Sequence, residues 1–223
     1  MPLDQESIHD RDWLETKSSE TFFEEAPRYP DIADVVAELR PRRLLDVGCG
    51  SGYLAKLLKI RVPDLVVHGI DISSVALQRA RRDVDQVWKV DLDKADLPAP
   101  AGHYDTVACV EVLEHLYDPD HALQEMARVL VPGGHAVVTV PNLAYWRFRL
   151  ALLRGRVPPP AMDRRHLHQF DSRLFAETLS RAGLRPVRMT GHGLRLRCLI
   201  SRWPNLFSDI LIATAVKLSP EGP

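Results

Sequence analysis

Leu44-Leu45-Asp46-Val47-Gly48-Cys49-Gly50-Ser51-Gly52-Tyr53 is the stretch on which the reading of the whole chain turns. Leu44 to Val47 has strand character, three glycines follow at alternate positions, and Tyr53 to Leu58 resumes with helical spacing. A strand that passes through a glycine loop straight into a helix is the βα unit of a parallel sheet. The glycines permit positive φ and let backbone N–H groups come close to a ligand. Their spacing excludes two phosphate-binding patterns. G-x-G-x-x-G would need a glycine at 53, where Tyr53 stands, and no Gly-Lys-Ser/Thr follows as a P-loop requires. Asp46 in front of the loop would repel a phosphate, whereas it would accept a hydrogen bond from an ammonium group.

Outward from this loop, strand and helix signals alternate. Strands are expected at Leu44–Val47, Leu65–Ile70, Val87–Val90, Tyr104–Val110 and His135–Val140, with two more near 184–190 and 209–216. Helices are expected at Tyr53–Leu58, Val75–Arg82, His121–Leu130 (ended by Pro132-Gly133-Gly134) and Ser172–Ala182 (capped by Gly183). Before the first strand, Ile32, Val35, Val36 and Leu39 give Asp31–Arg40 a helical face, with Asp31 after Pro30 as N-cap. The sum is an α/β fold: a doubly wound, mostly parallel seven-stranded sheet of Rossmann type with a C-terminal antiparallel hairpin. Residues 1–29 read as an arm or lid with scattered aromatics (Trp13, Phe22, Phe23, Tyr29). Residues 30–218 read as the domain, with an irregular acceptor-side insertion at 141–171.

The chain has 223 residues, 45% hydrophobic and 26% charged, which fits one domain with a substantial core. Its formal net charge of -1 offers no global field for nucleic acid, but the total hides a division. Residues 1–38 hold eleven Asp/Glu against three Lys/Arg, and residues 147–202 hold thirteen Arg against three acids, which directs attention to an anionic partner near the C-terminal half. Cys49, Cys109 and Cys198 form no C-x-x-C pair, so a disulfide scaffold is not expected and a reducing, cytoplasmic setting is. The N-terminus lacks the apolar core of a signal peptide, and Ile210–Val216 is too short to span a bilayer.

Two further acids complete a pattern. Asp71 ends the second strand beside the glycine loop, where a carboxylate can accept both hydroxyls of a ribose. Asp91 ends the third strand, where it can meet an exocyclic amine of adenine. Together with Tyr104-Asp105-Thr106-Val107 and Leu130-Val131-Pro132-Gly133-Gly134, these segments resemble the motifs of class I S-adenosylmethionine-dependent methyltransferases over roughly residues 30–218. The resemblance implies S-adenosyl-L-methionine as cofactor. It assigns Asp46, Gly48, Gly50 and Gly52 to the methionine moiety, Asp71 with Ile72 to the ribose, Asp91 and Leu92 to the adenine, and Glu111 to the sulfonium. Glu111-Val112-Leu113-Glu114-His115-Leu116 and His166-Leu167-His168-Gln169-Phe170 resemble segments of the ubiquinone-biosynthesis O-methyltransferase group. Pro141–Leu150 is similar to the methionine-biosynthesis protein W family, which lacks the E-x-x-E-H segment.

The expected reaction is methyl transfer to a small-molecule hydroxyl. His115 and His168 are the favoured bases, with His166 a further candidate and Glu111 facing the acceptor. Glu111, Glu114 and His115 lie at i, i+3, i+4, so a helical turn would put them on one face. With His168 they have the chemistry of an oxygen/nitrogen cage for a divalent cation, as in small-RNA 3′-terminal 2′-O-methyltransferases, although no metal is expected here. Alternative readings are metal-assisted 2′-O-methylation of an RNA 3′ end, or a non-catalytic, partner-binding relative. Residues 143–157 mix Arg with Trp, Tyr, Phe and Leu. They suit an anionic membrane, a lipid-like or phosphate-bearing acceptor, or pairing with the acidic arm. No RNA-reading motif is present, and a nucleic-acid partner is not expected.

Overall fold

The computed structural model describes residues 5–15, 27–193 and 197–218. Phe22 and Phe23 of the expected arm lie outside them.

Strands β1 (Arg43–Val47), β2 (Val66–Asp71), β3 (Gln86–Lys89), β4 (Tyr104–Val110), β5 (Leu130–Pro141), β6 (Leu184–Gly193) and β7 (Ser208–Lys217) form one seven-stranded sheet in the order β3-β2-β1-β4-β5-β7-β6. The first five run parallel; β7 is antiparallel to both β5 and β6. The strand order reverses between β1 and β4, and ligands of open α/β sheets bind at such a reversal, outside the carboxyl ends of the strands.

Alternate strand residues point to opposite faces, so each parallel strand feeds two cores. Leu44, Ala108 and Val110 pack with Val36 of α2 (Arg28–Glu38), Leu58 of α3 (Tyr53–Arg61) and Leu77 of α4 (Ser74–Ala80). Leu45, Val107 and Cys109 pack with Met126 of α5 (Pro119–Val129) and Phe175 of α8 (Ser172–Arg181). The Asp105 carboxylate accepts from the N–H groups of Arg42 and Arg43, both at 3.0 Å, and fixes the entry to β1.

Two boundaries differ from expectation. Helix α2 begins at Arg28, so Asp31 lies inside the first turn and its carboxylate meets His192 Nδ1 at 2.9 Å instead of capping. Pro30 misled the reading: the missing N–H of a first-turn proline is unpaired in any helix, so it does not delay the start. Pro132-Gly133-Gly134 does not separate helix from strand. Leu130 already pairs with Tyr104 and His135 with Thr106, which makes the three residues an irregularity within β5, turned by Gly133 at φ +76°.

The insertion contains helices α6 (Trp146–Leu153) and α7 (Pro159–Met162). It is closed at its base, where the Leu143 N–H donates to Phe170 O at 2.9 Å. Asn142, fully buried beside this closure, donates from Nδ2 to the carbonyls of Asn205 and Ser208 at 3.0 and 2.6 Å. Short helices α9 (Arg197–Arg202) and α10 (Pro204–Phe207) lead into β7. Helix α1 (Gln5–Glu15) lies against α4. Among the described residues, no helix is long and apolar enough to cross a membrane.

Candidate active site

A cavity of about 310 Å³ opens at the strand reversal. Its floor is the glycine loop. Gly48, Gly50 and Gly52 have φ of +72°, +53° and +81°, and the N–H groups of Gly48 and Cys49 both donate to Ile70 O at 2.9 Å, which ties the loop to β2. A Cβ on Gly48 would overlap Val112 Cγ2. Gly48→Ala therefore combines left-handed strain with a clash, and is expected to lower stability by about 2 kcal/mol or more, readable in a thermal melt.

Carboxylates surround this floor. Asp71 Oδ2 accepts from Gly50 N at 2.9 Å and Oδ1 from Ser73 N at 2.8 Å. Asp91 Oδ1 accepts from Asp93 N at 3.2 Å and Oδ2 from Lys94 Nζ at 2.6 Å, with Leu92 beside it. Asp46 is 2% exposed, and its Oδ2 has no hydrogen-bond partner. Burial, and then the Asp71 charge, push its carboxyl up to about 7. A buried acceptor without a donor, two rim carboxylates and a close-approach backbone suit a cationic adenosyl ligand. The residues present fit S-adenosylmethionine, through its ammonium, its ribose diol and its adenine amine.

Helix α1 roofs this half of the cavity. Trp13, 3% exposed, lies where a Cβ on Gly50 would come within 2.9 Å of its ring, and Arg79 stacks on it at 5.6 Å. Asp10 accepts from Ser73 Oγ at 2.5 Å and from Val75 N at 3.4 Å, and Glu6 pairs with Lys89. Trp13→Ala removes roughly 50 Å² of apolar cover, about tenfold in cofactor affinity at 25 cal/mol per Å². The expected signature is faster cofactor dissociation in stopped flow, with the fold intact.

The other half of the cavity is walled by the turn after β4 and by the return arm of the insertion. Glu111 has φ +53°, a rare conformation for a side-chain-bearing residue, and its N–H is held by Thr139 Oγ1 at 3.1 Å. The left-handed step turns Glu111 out of line with the 3-10 turn Leu113–His115, and its carboxylate pairs with Arg28 Nε at 2.7 Å. One helical face carrying Glu111, Glu114 and His115 therefore does not form.

Glu114 is 1% exposed, its Oε2 has no partner, and burial drives its carboxyl pKa upward, helped by the Glu111 charge. His115 shifts the other way, lowered to about 4 by desolvation, so it is neutral at ordinary pH. Its Nδ1 faces Arg165 O at 3.1 Å, and His166 Nδ1 faces Pro160 O at 2.9 Å. Carbonyls only accept, so each Nδ1 carries a hydrogen, and in the neutral His115 ring Nε2 keeps its lone pair. The two rings stand 4.9 Å apart, with His9 of α1 at 6.3 Å from His115. Donor atoms of Glu114, His115 and His166 lie within 4.8 Å of one another, a carboxylate and two imidazoles able to hold a divalent cation.

His168 does not join them. The N–H groups of Leu167 and His168 both donate to Glu114 O, at 2.7 and 3.2 Å. The His168 ring lies by Phe170, away from the cavity lining. Of the expected cage, Glu111 and His168 are replaced by His166. Gly48, Gly50, Asp71, Ile72, Asp91, Leu92, Glu111, Glu114 and His115 line the cavity, whereas Asp46 is buried apart from that lining and Gly52 lies against Ala80 and Val84. Arg28, Tyr29 and Arg165 line it too and were missed. The readable signal was a proline compatible with the first turn of α2, which would have moved Arg28 and Tyr29 from the arm to the site. Among the described residues the acidic arm pairs with an arginine beyond the 143–157 stretch, Arg165 to Asp12 at 3.0 Å.

Comparison with known proteins agrees with this geometry. A family model described as a methyltransferase domain matches residues 23–188. A protein of Mycobacterium tuberculosis named "Probable S-adenosylmethionine-dependent methyltransferase" is 32% identical over 184 residues, covering 82% of this chain and 64% of that protein. A ubiquinone biosynthesis O-methyltransferase of Alkalilimnicola ehrlichii is 38% identical over 120 residues, covering 50% of this chain and 46% of the relative. The chain thus spans less than two thirds of these relatives. The crystal structure of a SAM-dependent methyltransferase from Thermotoga maritima superposes with a TM-score of 0.69 at 18% identity, covering 94% of this chain and 98% of that one, a likeness of fold. With its family model covering most of the sequence, its relatives and its sheet order in agreement, the chain belongs to the methyltransferase-domain family of S-adenosylmethionine-dependent proteins.

Proposed function

We propose that the protein methylates a hydroxyl group of a small-molecule acceptor, with His115 touching the reacting oxygen. The observation that carries this reading is the His115 ring: neutral, tautomer fixed by Arg165 O, and placed in the same cavity as Asp71 and Asp91. S-adenosylmethionine supplies a methyl group on a sulfonium whose leaving thioether is neutral. The chain's own contribution is then placement. His115 Nε2 takes the hydroxyl hydrogen, which aims an oxygen lone pair into the cavity, and receives the proton as the C–O bond forms. Arg28 holds Glu111 on one wall, and Arg165 links Asp163 and Asp12 on the other. The O-methyltransferase names of several relatives support an oxygen acceptor. Two buried free thiols, Cys49 and Cys109, accord with a reducing, cytoplasmic setting.

A second reading is carried by the Glu114 Oε2 atom that lacks a partner. With a divalent cation on Glu114, His115 and His166, the acceptor oxygen would be acidified by the metal instead of by the imidazole alone. The experiment is a methyl-transfer assay on a panel of phenols, catechols and their N-methylatable amine analogues, analysed by mass spectrometry, with and without chelator. Transfer to oxygen that survives the chelator supports the first reading. Loss restored by added metal supports the second, and transfer to nitrogen alone overturns both.

A further inference from the structure

Helix α6 has no buried residue, and its two ends are exposed. At 100° per residue, Trp146, Leu150 and Leu153 fall at i, i+4 and i+7 on one stripe, with Leu153 83% exposed. Arg149 flanks this stripe on one side, and Arg147 and Arg154 flank it on the other. On the opposite side Phe148 meets the buried Tyr145 ring at 5.2 Å, and Leu152 next to it is half exposed. Val157, just beyond, is also exposed, and Arg156 beside it adds a further cation. Among the described residues no carboxylate pairs with Arg147, Arg154 or Arg156, whereas Arg165, Arg173, Arg181 and Arg188 all have acid partners.

We infer that α6 docks the protein onto an anionic phospholipid surface. The charge pattern selects this occupant. A central apolar stripe with arginines on both flanks is what a helix lying in the headgroup plane presents: Trp146, Leu150 and Leu153 enter the acyl boundary, and the arginines meet lipid phosphates at either side. A nucleic acid would use the arginines but would leave Leu153 in water, and a second copy of this chain would bring the same cations face to face. At about 1.5 Å per residue the helix is about 12 Å long, enough for a reversible contact and not for an anchor. The docked helix and the acceptor wall belong to one excursion of chain. Between its closure at Leu143 and Phe170, the outgoing arm bears α6 and the returning arm bears Asp163, Arg165 and His166 of the cavity. This inference rests on the helix alone and stands whether or not the acceptor is a phenol.

The test is co-sedimentation of the full chain with vesicles of phosphatidylcholine alone and of an equimolar mixture with phosphatidylglycerol. The protein should pellet with the mixture, remain in solution with phosphatidylcholine, and be released by added salt. Replacing Arg147, Arg154 and Arg156 by Ala should weaken partitioning about fivefold per arginine, or about a hundredfold together. Leu153→Asp should also weaken it. Unchanged calorimetric binding of S-adenosylmethionine shows that each variant is folded. The inference is overturned if the wild type ignores the mixed vesicles or if the variants pellet as it does. Light scattering that shows a dimer dissolved by Leu153→Asp would assign the face to a second copy. Binding of single-stranded RNA that depends on the arginines and not on Leu153 would assign it to nucleic acid.

Discussion

Asp46→Asn should make the ligand-free protein more stable and its cofactor binding much weaker. Asp46 is fully buried, without a donor for Oδ2, and its carboxyl is raised to about 7 against an unfolded value near 4. The folded chain therefore holds a proton there that the unfolded chain releases, and wild-type stability falls as pH rises from about 4 to about 7. Three units correspond to at most about 4 kcal/mol. An amide also needs partners, so a net gain of about 2 kcal/mol at pH 8 is expected, or about 4–8 °C in Tm. Near pH 4 the two proteins should melt together. Binding reverses the sign: the cationic donor wants the ionised carboxylate, and losing a charge-assisted hydrogen bond costs about 1.5–3 kcal/mol, ten- to more than a hundredfold in Kd. Wild-type affinity should also decline as pH falls below 7, by up to tenfold per unit. Melting curves at two pH values and calorimetry decide the matter; equal melting at pH 8 or equal affinity would refute the assignment.

If His115 acts as proposed, His115→Ala should lower kcat by about 10²–10³ while leaving S-adenosylmethionine affinity within about twofold, because that role puts the imidazole on the acceptor side alone. His168→Ala should leave kcat within about twofold, since its ring lies by Phe170 and outside the cavity. His166→Ala separates the two chemical readings. With imidazole catalysis by His115, it disturbs positioning and costs about tenfold. With a cation, it removes a ligand, and the loss approaches that of His115→Ala and is partly reversed by excess metal. A His168 variant as damaged as the His115 variant would sink the site assignment.

The donor half of the cavity could be read from the chain because its geometry is local. A glycine spacing and an acid in or just beyond each of three successive strands specify the backbone there: Asp71 and Asp91 line the cavity, and Asp46 is buried apart from its lining. The acceptor half depends on how separate segments meet. His166 and His168 are equivalent in a sequence two residues apart; their tertiary partners, Pro160 O for the one and the Phe170 ring for the other, separate the ring that enters the site from the ring that does not. Glu111 likewise obeyed the helical spacing until a left-handed φ took it elsewhere. The first helix escaped notice because its apolar residues, Ile8, Trp13 and Leu14, are too few and too poorly spaced to mark a face; Trp13 is buried by the cavity it covers, not by a core.

The closure between Leu143 and Phe170 bears on how such a protein diversifies. Everything between those residues leaves and re-enters the sheet at one point, held by Asn142, while the donor machinery lies in the preceding strands. Because lengthening a closed loop costs only about 0.6 kcal/mol per doubling, the excursion tolerates insertion, deletion or exchange with little effect on the core. Under the proposed function, one wall of the acceptor half is thereby exchangeable as a cassette, while Glu111, Glu114 and His115 of the other wall stay with the turn after β4.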